Sequence, residues 1–141
     1  MKRFGELIGA NLHGSEVIEL IGDVGAGKTT LTKGIALGLG VTEPVQSPTF
    51  TISRVYESRD DLTLYHYDFY RLSEAGIMAE DIGEVISQPG SVVVIEWSGA
   101  VSDILPQDRL KISIDATSED FRQVEITAGG EKSQKLLEAI K

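Results

Sequence analysis

A glycine-rich turn runs straight into a lysine and a hydroxyl in Gly22-Asp23-Val24-Gly25-Ala26-Gly27-Lys28-Thr29-Thr30. That spacing suits a phosphate cradle. Glycines let backbone N–H groups close around a β-phosphate, the Lys28 ammonium reaches the β and γ oxygens, and the Thr29 hydroxyl binds Mg²⁺. On this reading Asp23, Gly25, Ala26, Gly27, Lys28, Thr29 and Thr30 all meet the nucleotide. With this glycine content the four fixed positions would coincide by chance in about one chain in a hundred of this length. The strand required before the turn and the helix required after it cut that figure further.

A metal-bound nucleotide also needs a carboxylate at the end of a neighbouring strand, to hold the cation and to orient a water nucleophile. Two acids qualify. Glu96 ends the run Val92-Val93-Val94-Ile95, and Asp68 ends Leu64-Tyr65-His66-Tyr67. An acid at a strand end is also an ordinary solvated cap, so the pattern by itself leaves their roles open. Thr49, within Ser47-Pro48-Thr49-Phe50, falls in the interval where nucleotide-sensing loops place a hydroxyl for Mg²⁺ or the γ-phosphate, although Ser-Pro-Thr is equally an ordinary turn. Trp97, the single Trp, either stacks on a base or fills a core gap, the commoner use of a lone Trp. His66, in mid-strand, reads as a hydrogen-bonded structural histidine, and His13 as a surface residue before a turn.

Strand and helix patterns alternate around these residues. Phe4, Leu7, Ile8 and Leu12 stand at helical spacing, with Gly14 available to close the helix. Val17 to Ile21 reads as a buried strand, and Lys28 to Leu39 as a helix with Leu31, Ile35 and Leu39 on one face and Gly40 just past its end. Gln46 to Thr51 is extended, and Thr51 to Tyr56 has strand content. In Leu62 to Leu72, Leu62, Leu64, His66 and Asp68 share one face while Tyr65, Tyr67 and Phe69 share the other. Ser73-Glu74 starts a helical region that Pro89-Gly90 ends, and Val92 to Trp97 is a central strand. Leu110 to Ile114 and Phe121 to Thr127 alternate as strands before a closing helix, Glu131 to Ile140. The expectation is an α/β fold of the P-loop NTPase class, a mostly parallel central sheet flanked by helices, in a single domain over residues 1–141.

The chain has 141 residues and a formal net charge of −9. That charge opposes direct nucleic-acid binding, which needs clustered Lys and Arg to displace counterions. With no Cys, thiol nucleophiles, disulfides and thiolate metal sites are excluded. No apolar run approaches the roughly 18 residues that span a bilayer, and no secretory signal pattern is present, so a cytoplasmic protein is expected. Guanine-binding loops carry an Asn/Thr-Lys-x-Asp element that is absent here, where the lone Asn is Asn11, so ATP is the expected nucleotide. The residues leave three readings open: an Mg²⁺-dependent ATPase, a small-molecule kinase, or a nucleotide-sensing interaction module. No Arg-rich lid of the kinase kind is visible among the six scattered Arg residues Arg3, Arg54, Arg59, Arg71, Arg109 and Arg122.

Four segments in order, Gly22 to Thr30, Ser47-Pro48-Thr49-Phe50-Thr51, His66-Tyr67-Asp68-Phe69-Tyr70-Arg71-Leu72 and Val94-Ile95-Glu96-Trp97, resemble the motifs of the TsaE family. Its members are small bacterial ATPases of tRNA threonylcarbamoyladenosine (t6A) biosynthesis. The resemblance runs from about Phe4 to Arg122 and implies a P-loop fold, ATP with Mg²⁺, and work alongside the TsaB–TsaD heterodimer. Those sugar-kinase-like partners would carry the transfer onto adenosine next to the anticodon, ATP hydrolysis resetting the complex and tRNA being met only through them. Position by position, the resemblance makes Lys28 the phosphate lysine, Thr29 the magnesium hydroxyl and Glu96 a second magnesium ligand. It makes Asp68 the acid needed for hydrolysis, Thr49 part of a switch-like loop, Trp97 the aromatic beside the acid, and Arg122 an Arg near the nucleotide. One departure is that the chain begins only a few residues before its first helix, where the family usually has further residues that help hold the adenine.

Overall fold

A strand that is apolar on both faces needs cover from two sides, and Val92 to Ile95 is such a strand, each of its residues fully buried. The computed structural model describes residues 1–23, 25–46, 53–70 and 76–141. Its elements are α1 (Lys2–Ala10), β1 (Glu16–Ile21), α2 (Lys28–Leu39), β2 (Ser53–Glu57), β3 (Thr63–Asp68), α3 (Gly76–Ser87), β4 (Ser91–Glu96), β5 (Leu110–Ala116), β6 (Arg122–Ala128) and α4 (Glu131–Ala139). The strands form one sheet in the order β2-β3-β4-β1-β5-β6. The four middle strands, β3, β4, β1 and β5, run parallel to one another, and β2 and β6 close the edges antiparallel.

Two apolar layers cover the sheet. On one face, Leu64, Val92, Val94, Ile18, Leu20, Ile112 and Ile114 pack under Ile8 of α1, Leu31, Ile35 and Leu39 of α2 and Leu136 of α4. On the other, Tyr67, Phe69, Val93 and Ile95 pack under Ile82 and Val85 of α3 and Val101 and Leu105 of the segment that follows β4. The alternation expected for β3 is therefore realised, Leu64 facing the first layer and Tyr67 the second.

Helix α2 starts and stops where expected, Lys28 to Leu39, with Gly40 in the left-handed region at φ 87°. Helix α1 ends earlier, at Ala10, so Leu12 is buried beyond it and Gly14 forms the following turn at φ 114°. The expected β3 alternation reached Leu72, but the strand ends at Asp68; conversely β5 runs two residues past Ile114. One feature was not anticipated: Ser98–Ile104 forms a 3₁₀ segment directly after Trp97. The segments 47–52 and 71–75, with Val24, lie outside the described residues, and Thr49 and the expected helix start at Ser73 lie with them.

What seats α2 is its crossing with α1, made backbone to backbone by Gly5, Gly9, Gly34 and Gly38. A Cβ on Gly34 would run into the Lys2 carbonyl and lie 2.9 Å from the Gly5 Cα, and one on Gly9 would strike the Ile35 carbonyl. Gly34→Ala should therefore force the helices apart and lower stability by about 2 kcal/mol or more in urea unfolding. Gly83→Ala, on an exposed turn of α3 where an added Cβ meets nothing, should instead be neutral or stabilising by up to about 1 kcal/mol. Equal effects of the two substitutions would refute the close crossing.

Candidate functional site

β1 delivers the chain at Ile21 to the turn that begins with Gly22, and α2 takes it up at Lys28. Gly25 and Gly27 have φ of 85° and 113°, values that residues with a Cβ rarely adopt. Gly22 is needed for a different reason: a Cβ there would lie 2.7 Å from the Ile114 carbonyl of β5. The turn thus wraps closely over the N-terminus of α2, whose unpaired N–H groups and dipole favour an anion.

Lys28 is 6% exposed. Its Nζ donates to the Gly22 carbonyl and lies 3.8 Å from the centre of the Trp97 ring, a cation–π contact. Burial pushes its pKa below the usual lysine value, against the opposing pull of the Glu96, Asp68 and Asp23 carboxylates. Trp97 holds this position from a left-handed backbone at φ 57°, ψ 55°, costly for a bulky residue, and its ring also meets Tyr70 at 4.8 Å between centres. Trp97 is half-buried against the second apolar layer, with its ring also over Lys28 and against Tyr70.

The two acids are brought together by register. β3 and β4 run parallel with Asp68 opposite Glu96, and β4 pairs with β1 with Leu20 opposite Glu96, so both carboxylates stand at the sheet end from which the glycine turn departs. Both are buried. Asp68 Oδ1 accepts the Tyr70 N–H at 3.0 Å, and Glu96 Oε2 lies 2.6 Å from His66 Nε2. The histidine is structural in being fully buried, as expected, but its partner is one of the two strand-end acids, and its Nδ1 has no hydrogen-bond partner among the described residues.

Arg122, at the start of β6, reaches the turn as well: its Nε donates to the Ala26 carbonyl at 3.1 Å, while one terminal nitrogen donates to Ser118 O and Phe121 O. Thr29 is half-buried and Thr30 exposed at the start of α2. A pocket of about 460 Å³ opens beside the turn, lined in part by Asp23, Trp97, Ser98 and Asp115. Beneath it lies a group that motif reading missed. Glu19, 4% exposed in the middle of β1, accepts from Arg109 Nε at 2.9 Å and from the Ser98 hydroxyl. The signal was a charge inside the apolar run Val17-Ile18-Glu19-Leu20-Ile21, which demands a partner the linear sequence does not identify.

The donors here are a hydroxyl, carboxylates and main-chain N–H groups. Hard oxygens of this kind fit Mg²⁺, which binds through one or two protein oxygens and completes its shell with phosphate and water. The whole constellation, one buried ammonium ringed by carboxylates at the mouth of a glycine turn, can hold a polyphosphate–metal pair and place an acid beside its terminal phosphate.

A family model described as "Threonylcarbamoyl adenosine biosynthesis protein TsaE" matches residues 1–124. Similar proteins carry the name tRNA threonylcarbamoyladenosine biosynthesis protein TsaE. That of Bacillus subtilis is 41% identical, with 99% of this chain and 86% of the relative covered. That of Streptomyces coelicolor is 40% identical, with 94% and 93% covered. Among solved structures, Bacillus subtilis YdiB superposes with a TM-score of 0.81 at 38% identity, covering 99% of this chain and 85% of its own.

The contact between Lys28 and the sole Trp supplies an optical test. A phosphate that draws the ammonium off the Trp97 ring removes a cation–π contact worth about 0.5–2 kcal/mol and alters the ring's surroundings. Titration with ATP and Mg²⁺ should change Trp97 emission saturably, and Lys28→Ala should abolish the response; an unchanged emission spectrum at saturating nucleotide would refute the arrangement.

Proposed function

The chain belongs to the TsaE family, and from that premise we propose that it is an Mg²⁺-dependent ATPase of tRNA threonylcarbamoyladenosine formation. We place it in the cytoplasm as a single P-loop ATPase domain acting with the TsaB–TsaD heterodimer, its hydrolysis resetting that complex and tRNA being met through the partners. The observation that carries the reading is the convergence on Lys28: an ammonium buried at the glycine turn, with the carboxylates of Asp68 and Glu96 at adjoining strand ends. A family name and a net charge of −9 point to the same division of labour, in which another subunit supplies the RNA contacts.

The roles follow from position. The N–H groups of Asp23, Gly25, Ala26, Gly27, Thr29 and Thr30 cradle the phosphates, and Lys28 exchanges the Gly22 carbonyl and the Trp97 face for the β and γ oxygens. Thr29 and Glu96 would hold an Mg²⁺ ion, which would supply charge neutralisation to the phosphates. Asp68 orients the water that attacks the γ-phosphorus, the bond to the β-bridging oxygen breaking as the new one forms, so that ADP and phosphate leave. Trp97 walls the site and Arg122 braces Ala26, while Thr49, outside the described residues, would sense the γ-phosphate.

No helix among the described residues is long and apolar enough to cross a membrane. The kinase and sensor readings are outcomes of one assay: phosphate released to water, with turnover weak alone and raised by TsaB and TsaD, is expected. Phosphate transferred to a small acceptor would support the kinase, and absent turnover in the full complex would support the sensor.

Lys28→Ala should abolish productive nucleotide binding while leaving the fold intact by circular dichroism; parental hydrolysis in a folded variant would overturn the phosphate-loop reading. The two acids should separate in a paired measurement. Glu96→Ala should weaken Mg²⁺-dependent ATP affinity together with hydrolysis, whereas Asp68→Ala should retain ATP and partner docking while turnover in the complex falls by about two orders of magnitude or more. Loss of affinity in Asp68→Ala with none in Glu96→Ala would reverse their roles.

A further inference from the structure

His66 is fully buried, yet the phosphate chemistry above does not use it. Its Nε2 lies 2.6 Å from Glu96 Oε2, while Nδ1 is buried without a partner among the described residues. These two facts decide where the ring proton sits. On Nδ1 it would be a buried, unpaired donor, a penalty of about 1–3 kcal/mol; on Nε2 it meets a carboxylate oxygen. An Nε2–H donating to Glu96 satisfies the pair, with Nδ1 left as an acceptor.

The strand that carries the ring is held on both sides. β3 lies between β2 and β4, with His66 opposite Arg54 on one side and Val94 on the other. Glu96 itself has two soft torsions beyond its Cβ, and without a donor its carboxylate could settle in several rotamers beside the turn. A hydrogen bond from a rigid strand to one oxygen removes that freedom and leaves the second oxygen to serve as a ligand. Outer partners of this kind orient ligands in metal sites generally.

We propose that His66 is a positioning residue for Glu96, its Nε2–H holding one carboxylate oxygen so that the other is presented to the nucleotide-bound Mg²⁺ ion. The proposal rests on the reading that Glu96 serves the metal, and it concerns the geometry of that carboxylate, not a proton transfer.

The test is the affinity for ADP measured by calorimetry with Mg²⁺ and with EDTA, in the full-length parent and its variants. The quantity read is the gain in affinity that Mg²⁺ confers. Gln places an amide N–H near the position of the imidazole Nε2, whereas the Asn amide falls short of Glu96. In His66→Gln the magnesium gain should stay within about 3-fold of the parent, and in His66→Asn it should fall by about 10–100-fold, with the EDTA affinity unchanged in both. His66→Asn added to Glu96→Gln should cost no further magnesium gain beyond that of Glu96→Gln alone. A His66→Asn protein with the parental magnesium gain, whether or not its melting temperature drops, would overturn the proposal and make the pair purely structural. If Glu96→Gln itself keeps the magnesium gain, the metal-side assignment of Glu96 fails and takes this proposal with it. If Glu96→Gln loses the gain and His66→Asn does not, only the positioning role fails.

Discussion

An ammonium taken out of water must be met by opposite charge or by polar contacts, and at Lys28 that requirement organises the site. Burial disfavours its charged form while three carboxylates, those of Glu96, Asp68 and Asp23, favour it. The Gly22 carbonyl and the Trp97 face take up the remaining valence. These groups converge on Lys28 from the ends of β3 and β4 and from the glycine turn, so the strand register, the turn and the left-handed backbone at Trp97 are all conditions on one charge. A charge-assisted bond to an anionic oxygen is stronger than one to a carbonyl or a ring face, so the contacts Lys28 makes here are the exchangeable kind.

The placement of Lys28 depends in turn on how α2 is held. Its first turn carries Lys28 and Thr29, and its later turns carry Gly34 and Gly38, against which Gly5 and Gly9 of α1 pack without intervening side chains. Close backbone approach leaves little room for sliding, so the far end of α2 acts as a fixed mount for the end that carries Lys28. Met1 belongs to the same contact: its side chain lies within about 4 Å of where a Cβ on Gly27 would stand. Packing at the helix crossing and geometry at the turn are parts of one rigid unit.

Other long-range polar contacts brace the surrounding shell. Glu19 in β1 would be an uncompensated buried charge without Arg109, whose terminal nitrogen also donates to the Pro106 carbonyl at 2.8 Å, and the Ser98 hydroxyl ties the segment after Trp97 to the same carboxylate. Helix α4 is preceded by Gly130, which has no capping side chain, and Asp108 caps it from another segment, accepting the Lys132 and Ser133 N–H groups at 2.9 Å. Arg122 does the equivalent for the turn by donating to Ala26. Of these contacts, the one from Arg122 reaches the glycine turn directly.

Local chemistry by itself determined much of this protein. Periodicity marks the helix from Lys28 to Leu39 and the apolar strand that ends at Glu96, because burial on one face or on two leaves a repeat that neighbouring residues display. The glycine turn is legible for the same reason: its backbone needs and its lysine and hydroxyl are contiguous. Two acids at strand ends can also be picked out, but not that Asp68 and Glu96 stand opposite each other, since a parallel pairing joins segments that are distant in sequence. Nor could spacing show that His66 faces Glu96, that Arg109 neutralises Glu19 or that Trp97 lies over Lys28. Those contacts exist only once β1, β3 and β4 are side by side and the chain beyond β4 turns back through a left-handed residue. The types of the groups are written along the chain; the distances between them are a property of the sheet, because only strand pairing and helix packing bring residues dozens of positions apart within reach of one charge.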